Sequence, residues 1–262
     1  MTYKLIVLDL DGTLLRPDHS VSPANAAAVR ACMAQGAQVV LASGRSLGAI
    51  LATAHNLTLD SPIIALNGTL IGDRQRGVLR TRGQLSNPQL QLVSTVLLDR
   101  AVPFVVFGTQ QIYALADMPQ RDDLVVYGEP LATIVPSLTH AYISDPLKVL
   151  AFLPPGPLDT ELRAALEPSV AQVRTGRSFL EWMPHTATKG DALLELMAEL
   201  RIAREEVLAI GDGHNDLSMF AVAGLSVAMG DAVPEVREHA DMVTASCEED
   251  GVALALQRYV LG

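Results

Sequence analysis

The sequence predicts an α/β fold: a doubly wound, Rossmann-like parallel core interrupted by an inserted α+β segment. Three observations carry that expectation. Four apolar runs (Leu5 to Leu8, Val39 to Ala42, Ile63 to Leu66 and Val207 to Ile210) end in polar loops, and their unbroken apolar character suits strands covered on both faces. Segments with helical spacing separate these runs at both ends of the chain. Between roughly Leu85 and Met183 the texture changes to short strands and two helices, which reads as a separate unit.

Taken in order, Leu5 to Leu8 opens the core as a buried strand. Ser22 and Pro23 then start a helix as N-cap and first helical residue, Gly36 closes it, and Ala26, Ala27, Val29, Arg30 and Met33 fill it. Val39 to Ala42 and Ile63 to Leu66 supply the next two strands. In the inserted segment a helix is expected from Asn87-Pro88 to Arg100, followed by strands over Val102 to Phe107, Gln111 to Ala114 and Val149 to Leu153. After the breaker Pro154-Pro155-Gly156-Pro157 come a helix near Leu158 to Leu166 and strands near Ala171 to Arg174 and Phe179 to Met183. The core resumes with a helix over Lys189 to Leu200, marked by Leu193, Leu194, Leu196, Met197 and Leu200 at helical spacing. The strand Val207 to Ile210 and a last helix over Glu249 to Tyr259 complete it. The expected division is residues 1–84 and 185–262 for the core and 85–184 for the insertion.

Composition narrows the function classes. Apolar residues make up 49% of the chain and charged residues only 18%, which suits an ordinary globular protein. The formal net charge is −10 and no block of Lys and Arg can track a phosphate backbone, so no nucleic-acid partner is expected. An anionic small substrate would need local positive charge from a metal, a basic side chain or a helix N-terminus. Cys32 and Cys247 are far apart and lack metal-ligand spacing, which argues against a zinc site or a disulfide framework. Acidic residues interrupt the N-terminal apolar stretch too early for a signal peptide, and the longest apolar run, Met219 to Gly230, is too short to span a bilayer. No membrane partner is expected, and a cytoplasmic location is.

In a doubly wound fold, ligands bind beyond the C-terminal strand ends, where the polar loops lie. In LDLDGTLL, Asp9 and Asp11 are two residues apart at a strand end and so share a side. A hairpin with an Asp-Gly turn would also explain them; an EF-hand fits worse, since Leu14 and Ser20 fall where Gly and Glu are required. Paired carboxylates at close range call for a cation, and oxygen-seeking Mg²⁺ is the natural one. AIGDGHNDLSM contributes Asp212, Asn215 and Asp216, though a capped helix start, with Asn215 or Asp216 as N-cap, would read the same way. LASGRS ends a strand with Ser43, Gly44 and Arg45, a fair phosphate cradle that any Ser-Gly turn imitates. In TKGDALLEL, Lys189 sits in the first turn of a helix, the electrostatically wrong end for a cation unless it holds an anion or pairs with a carboxylate; a solvated surface lysine is the plainer alternative.

Together, the loops DxDGT, SGR, K and GDxxND in that order resemble the haloacid dehalogenase superfamily. The insertion after the second loop, preceded by ALNGTLIGD, is similar to the Cof-type (subfamily IIB) phosphatases with a C2B cap. EWMPHTATKGDALLELMAEL, EEVLAIGDGHNDLSMF and ADMVTASCEEDGVALAL extend the resemblance over nearly the whole chain. It implies that Asp9 is the nucleophile on phosphorus and that Asp11 is the general acid and then the base. It also implies that the Asp9 carboxylate, the Asp11 carbonyl and Asp212 hold Mg²⁺ with support from Asp216, and that Ser43, Gly44, Lys189 and Asn215 grip the phosphoryl group. Arg45 is expected to reach the substrate or the cap. Departures are small: Ser43 stands where threonine is common, Arg201 and Asp231 replace a frequent Gly and Asn, and His214 reads as a loop residue rather than a ligand.

The implied activity is Mg²⁺-dependent hydrolysis of small phosphate monoesters, such as sugar phosphates or phosphorylated cofactors, through an aspartyl-phosphate. Such hydrolysis is among the slowest uncatalysed reactions, and a bound metal offers several kcal/mol where an exposed helix terminus offers about 0.3–1. Asp11 is expected to be partly desolvated. A phosphomutase is the rival within the enzymes, and a catalytically idle Mg²⁺- and phosphate-binding module the rival outside them; a dehalogenase would leave Asp11 without a task. The partner is then a small phosphorylated metabolite, and the chain a monomer or small homo-oligomer.

Overall fold

The run Leu5–Leu8 is completely buried and lies in the middle of an eight-stranded sheet. Residues 3–176 and 178–262 are described by the computed structural model. Across the sheet the strands run Met242–Val243, Leu225–Ala228, Val207–Gly211, Leu5–Leu8, Gln38–Ala42, Ile63–Ala65, Leu70–Asp73 and Gly77–Thr81. The first six are parallel, and the last two join as an antiparallel edge. From Leu5–Leu8 the chain moves outward in one direction and later returns on the other side at Val207–Gly211. The topological switch, and with it the natural ligand crevice, therefore lies between these two strands.

A second, six-stranded sheet is built from the insertion in the order Ala171–Thr175, Phe179–Met183, Lys148–Phe152, Phe104–Phe107, Ile112–Ala114 and Thr133–Ile134. It is antiparallel except for its last pair. Its two faces differ, because successive strand residues point to opposite sides. Phe104, Val106, Val149, Ala151, Leu180 and Trp182 form a core with the helices Asn87–Asp99 and Pro157–Leu166. Val105, Phe107 and Leu150 belong instead to the apolar cluster of the large sheet, so this face turns toward it.

Local signals were effective where side chains bond their own backbone. Ser22 Oγ accepts from the Asn25 amide at 3.0 Å at the start of the helix Pro23–Ala34, and Ser86 and Gln89 form a capping box on Asn87–Asp99. Three expectations need correction. Leu66 does not extend its strand: Leu66 and Asn67 take φ of 50° and 56°, turning the chain into a short 3₁₀ segment before the antiparallel edge, whose strands periodicity had not suggested. The final helix does not run unbroken from Glu249, because Asp250 sits at φ 60° between a 3₁₀ turn and the helix Gly251–Leu256, beyond which the chain widens into a π-helical turn. Strand Val102 to Phe107 begins only at Phe104.

Candidate active site

The two central strands bring their loops together directly. The Asp9 amide donates to the Ile210 carbonyl at 3.0 Å, so the end of one strand is tied to the residue just before the Gly211-Asp212 turn. Gly12 has φ +78°, and a Cβ there would lie 2.5 Å from Asp212 Oδ2, so only glycine lets the DxDG turn approach the second acidic loop this closely. Asp212 Oδ1 accepts from Thr13 Oγ1 at 3.2 Å. Ligand oxygens of Asp9, Asp212 and Asp216 all lie within 4.8 Å of one another.

Lys189 is fully buried rather than a surface lysine. Its Nζ donates to Asp9 Oδ1 at 2.5 Å and to Asp216 Oδ1 at 2.7 Å, so its carboxylate partners outweigh the unfavourable helix end. Burial works against the ammonium, yet Asp216 and Asp9 hold its pKa above the ordinary lysine value. Burial and then Asp216 push Asp9 up to about 7 despite Lys189. Burial, Asp9 and Asp216 likewise raise Asp212 well above the carboxylate range. Three carboxylates against one ammonium are short of positive charge, and an oxygen-seeking dication is the group that fits this donor set.

Asp216 precedes the helix Leu217–Val222 without capping it through its side chain; its carboxylate instead closes the 3₁₀ turn His214–Asp216 by accepting from the Gly213 amide. Asp216 Oδ2 accepts from the Asp212 and Gly213 amides at 3.0 and 2.9 Å, so this buried carboxylate shapes the loop that presents Asp212. His214 points away and meets Glu235 at 3.0 Å.

The third loop folds against the Leu66-Asn67 turn. Ser43 O accepts from the Asn67 amide at 3.0 Å and Arg45 O from the Leu66 amide at 2.9 Å, which explains why the strand ends early. Gly68, at φ +100°, would place a Cβ 2.1 Å from Thr188 O and so allows the turn to touch the start of the lysine helix. Arg45 engages Asp11 through both Nε, at 2.8 Å, and Nη2, while its Nη1 donates to the Tyr127 carbonyl at 2.5 Å. It thereby links the core to the inserted segment. Asp11 remains about one-third exposed at 35%, so the strong desolvation falls on Asp9.

Asp9, Asp11, Ser43, Gly44, Arg45, Asp212 and Asn215 line one cavity of about 320 Å³, whose far wall comes from the second sheet. Lys189 and Asp216 are buried behind Asp9. Several wall residues were invisible to motif reasoning. Lys148, only 1% exposed, pairs with Glu181 at 2.8 Å and donates to the Gly44 carbonyl at 2.6 Å. Glu181 in turn accepts from Asn67 Nδ2, and Asn67 Oδ1 accepts from Asn215 Nδ2 at 3.1 Å. A usable signal existed: Lys148 and Glu181 are charges placed inside apolar strands on the face opposite Val149 and Trp182. Of the aromatic side chains in the insertion, Phe107, Tyr127 and Phe179 line the cavity, whereas Trp182 fills the helix-covered core and Tyr113 packs against it.

Comparison with known proteins agrees with this geometry. A family profile described as haloacid dehalogenase-like hydrolase matches residues 6–256. The chain is 30% identical to 5-amino-6-(5-phospho-D-ribitylamino)uracil phosphatase YcsE of Bacillus subtilis, covering 98% of this chain and 96% of that protein. It is also 30% identical, over 98% of its length, to a chloroplastic protein of Arabidopsis thaliana named endoribonuclease YBEY, but spans only 46% of it. The solved structure of a haloacid dehalogenase-like hydrolase from B. subtilis superposes with a TM-score of 0.89 at 26% identity, covering 98% of this chain and all of that one. No helix among the described residues is long and apolar enough to cross a membrane. With the motifs converging on one strand edge and the match running from the first strand to the last helix, the chain belongs to the haloacid dehalogenase-like hydrolase family.

Proposed function

We propose that this phosphatase hydrolyses small phosphate monoesters through a phosphorylated Asp9, with Mg²⁺ as cofactor. The observation that carries the reading is the charge-deficient cluster of Asp9, Asp212 and Asp216, with oxygens within 4.8 Å and Lys189 at its back, opening on a cavity that Ser43, Gly44 and Asn215 share. Asp9, Asp212 and the Asp11 carbonyl would hold Mg²⁺, with Asp216 in support, and the ion would supply charge neutralisation at the phosphoryl oxygens. Asp9 attacks phosphorus as the ester bond breaks. Asp11 gives its proton to the departing oxygen and then takes one from the water that opens the acyl phosphate. Lys189 keeps Asp9 aimed; the Arg45 fork occupies both oxygens of the Asp11 carboxylate and must let one go for Asp11 to carry the proton. Ser43, the Gly44 amide, Lys189 and Asn215 grip the phosphoryl group.

Residues 85–184 would act as the cap over a core of 1–84 and 185–262, excluding water and presenting its sheet face to the leaving group. A cavity of about 320 Å³ suits a metabolite rather than a macromolecule. The related YcsE phosphatase is named for such a substrate, a phosphorylated ribityl compound. The test is a panel of phosphorylated metabolites with Mg²⁺, with and without EDTA. Free phosphate that appears only with the metal is the expected result; an isomerised sugar phosphate would indicate a mutase, and silence across the panel a binding module.

A further inference from the structure

The cavity wall contributed by the second sheet and its loops is mostly apolar, with Phe107, Leu124, Tyr127, Leu150 and Phe179 facing the acidic core. Within it stands a carboxylate that the chemistry above does not use. Glu129 follows the left-handed Gly128 and is 6% exposed. Its Oε1 accepts from the Ser46 amide at 2.8 Å, one residue beyond Arg45, which anchors the loop to the core. Its Oε2 is buried and has no hydrogen-bond partner among the described residues. Among the described residues the nearby cations donate no hydrogen bond to it: Lys148 is committed to Glu181 and Gly44, and Arg45 to Asp11 and Tyr127. A buried acceptor left unmatched is costly unless something that enters the cavity donates to it.

We propose that Glu129 is a specificity-determining residue whose free oxygen receives an N–H or O–H from the leaving group of the ester. This rests on the phosphatase reading. The substrate class is a monophosphate whose leaving group lays an apolar ring or chain against Tyr127 and Phe179 and presents a neutral or cationic donor at its far end. Purely hydrocarbon esters leave Oε2 unmatched, and esters ending in a second anion meet a like charge. Sites that hydrogen-bond a substrate group reject analogues lacking it far more strongly than apolar pockets discriminate by size.

The test compares 4-aminophenyl, 4-methylphenyl and 4-methoxyphenyl phosphates, and their 3-substituted isomers, with Mg²⁺. Their phenols are of similar basicity, so the ratios report binding of the substituent. In the wild type at least one amino ester should exceed its methyl counterpart in kcat/KM by about tenfold or more, mainly through KM. Glu129→Leu, and Glu129→Gln, which keeps the Ser46 contact but replaces the free acceptor with a donor, should bring that ratio to within about threefold of unity. The ratio is read whatever happens to absolute rates, so a loss of stability does not imitate the result. Turnover with no amino preference in the wild type, a preference for the methoxy ester, or a ratio that both variants leave unchanged overturns the proposal and leaves the phosphatase reading intact. Absence of turnover with every ester, including the metabolite panel, removes both.

Discussion

The two sheets of this molecule place chemistry in opposite ways. The large sheet is parallel through its centre, and its central strands are buried on both faces and carry no reactive group; Asp9, Ser43 and Asp212 appear only where a strand has just ended. The smaller sheet is antiparallel with one face turned to the cavity, and there Lys148 and Glu181 sit within the strands themselves. A doubly covered sheet can act only at its ends, whereas a sheet with one open face can act along its length.

The comparison breaks most visibly at Asp9. If the loops of the large sheet hold the chemistry, Asp9→Asn should lower turnover by roughly 10⁴-fold or more, as loss of a covalent nucleophile does, and abolish phospho-protein in a quenched mass spectrum. A variant with near-wild-type rates would dismiss the nucleophile. The smaller sheet should respond through stability. Lys148→Met strands a carboxylate that is 2% exposed and should cost about 3–5 kcal/mol in urea melts, while the double variant Lys148→Met/Glu181→Leu should recover much of that loss. Equal losses in single and double variants would mean that packing, not the ion pair, matters there.

The acidic cluster should answer to metal. Mg²⁺ at about 100 times its dissociation constant should raise stability by about 2.7 kcal/mol in the wild type. Asp212→Asn should lose that increment, yet melt no lower than wild type in EDTA, since it removes one of three crowded carboxylates. In EDTA the sign for Asp9 is also fixed. Its folded pKa, about 7, exceeds the unfolded value, so stability should fall as pH rises from about 4 to about 7 and level off above. A flat profile for the wild type, or the same slope in Asp9→Asn, would contradict this.

The smallest effect belongs to the sheet edge. Glu195 accepts from Arg80 and Arg82 Nε, both at 2.5 Å, pinning the antiparallel strands to the helix Lys189–Leu200. Burial pushes the carboxyl up, but the Arg82 and Arg80 hydrogen bonds outweigh it and hold its pKa below the ordinary value. Its contribution is therefore present above the unfolded pKa and disappears in acid. Glu195→Gln should cost under about 1 kcal/mol at pH 7 and nothing near pH 3, because the pair is partly exposed. An equal loss at both pH values would assign the effect to packing.

How much was legible follows the same division. Motif loops are readable because a strand end, a glycine turn and a carboxylate are close in sequence: Asp9, Asp11, Asp212 and Asn215 stand in such loops, and the structure brings them to one cavity. Lys189 was ambiguous, since a lysine in a first helical turn looks solvated until the two carboxylates that receive it, 180 and 27 residues away, are in place. Leu66 read as strand because its apolar character says nothing of a backbone forced to positive φ by hydrogen bonds to Ser43 and Arg45. Glu129 and Lys148 carried no motif at all.

By itself, the chain order of apolar runs, caps and polar loops determined the parallel core and the existence of an insertion, because these depend on patterns within a few positions of one another; the type of chemistry came with the resemblance of the four loops, in their order, to a known family. Which face the second sheet turns toward that core, which charges neutralise one another across it and which oxygen of Glu129 is left over were decided only by folding. Those properties are set by strand register and by contacts among residues some 27 to 180 positions apart, and burial, which converts such contacts into energy, has no signature in a local stretch of sequence.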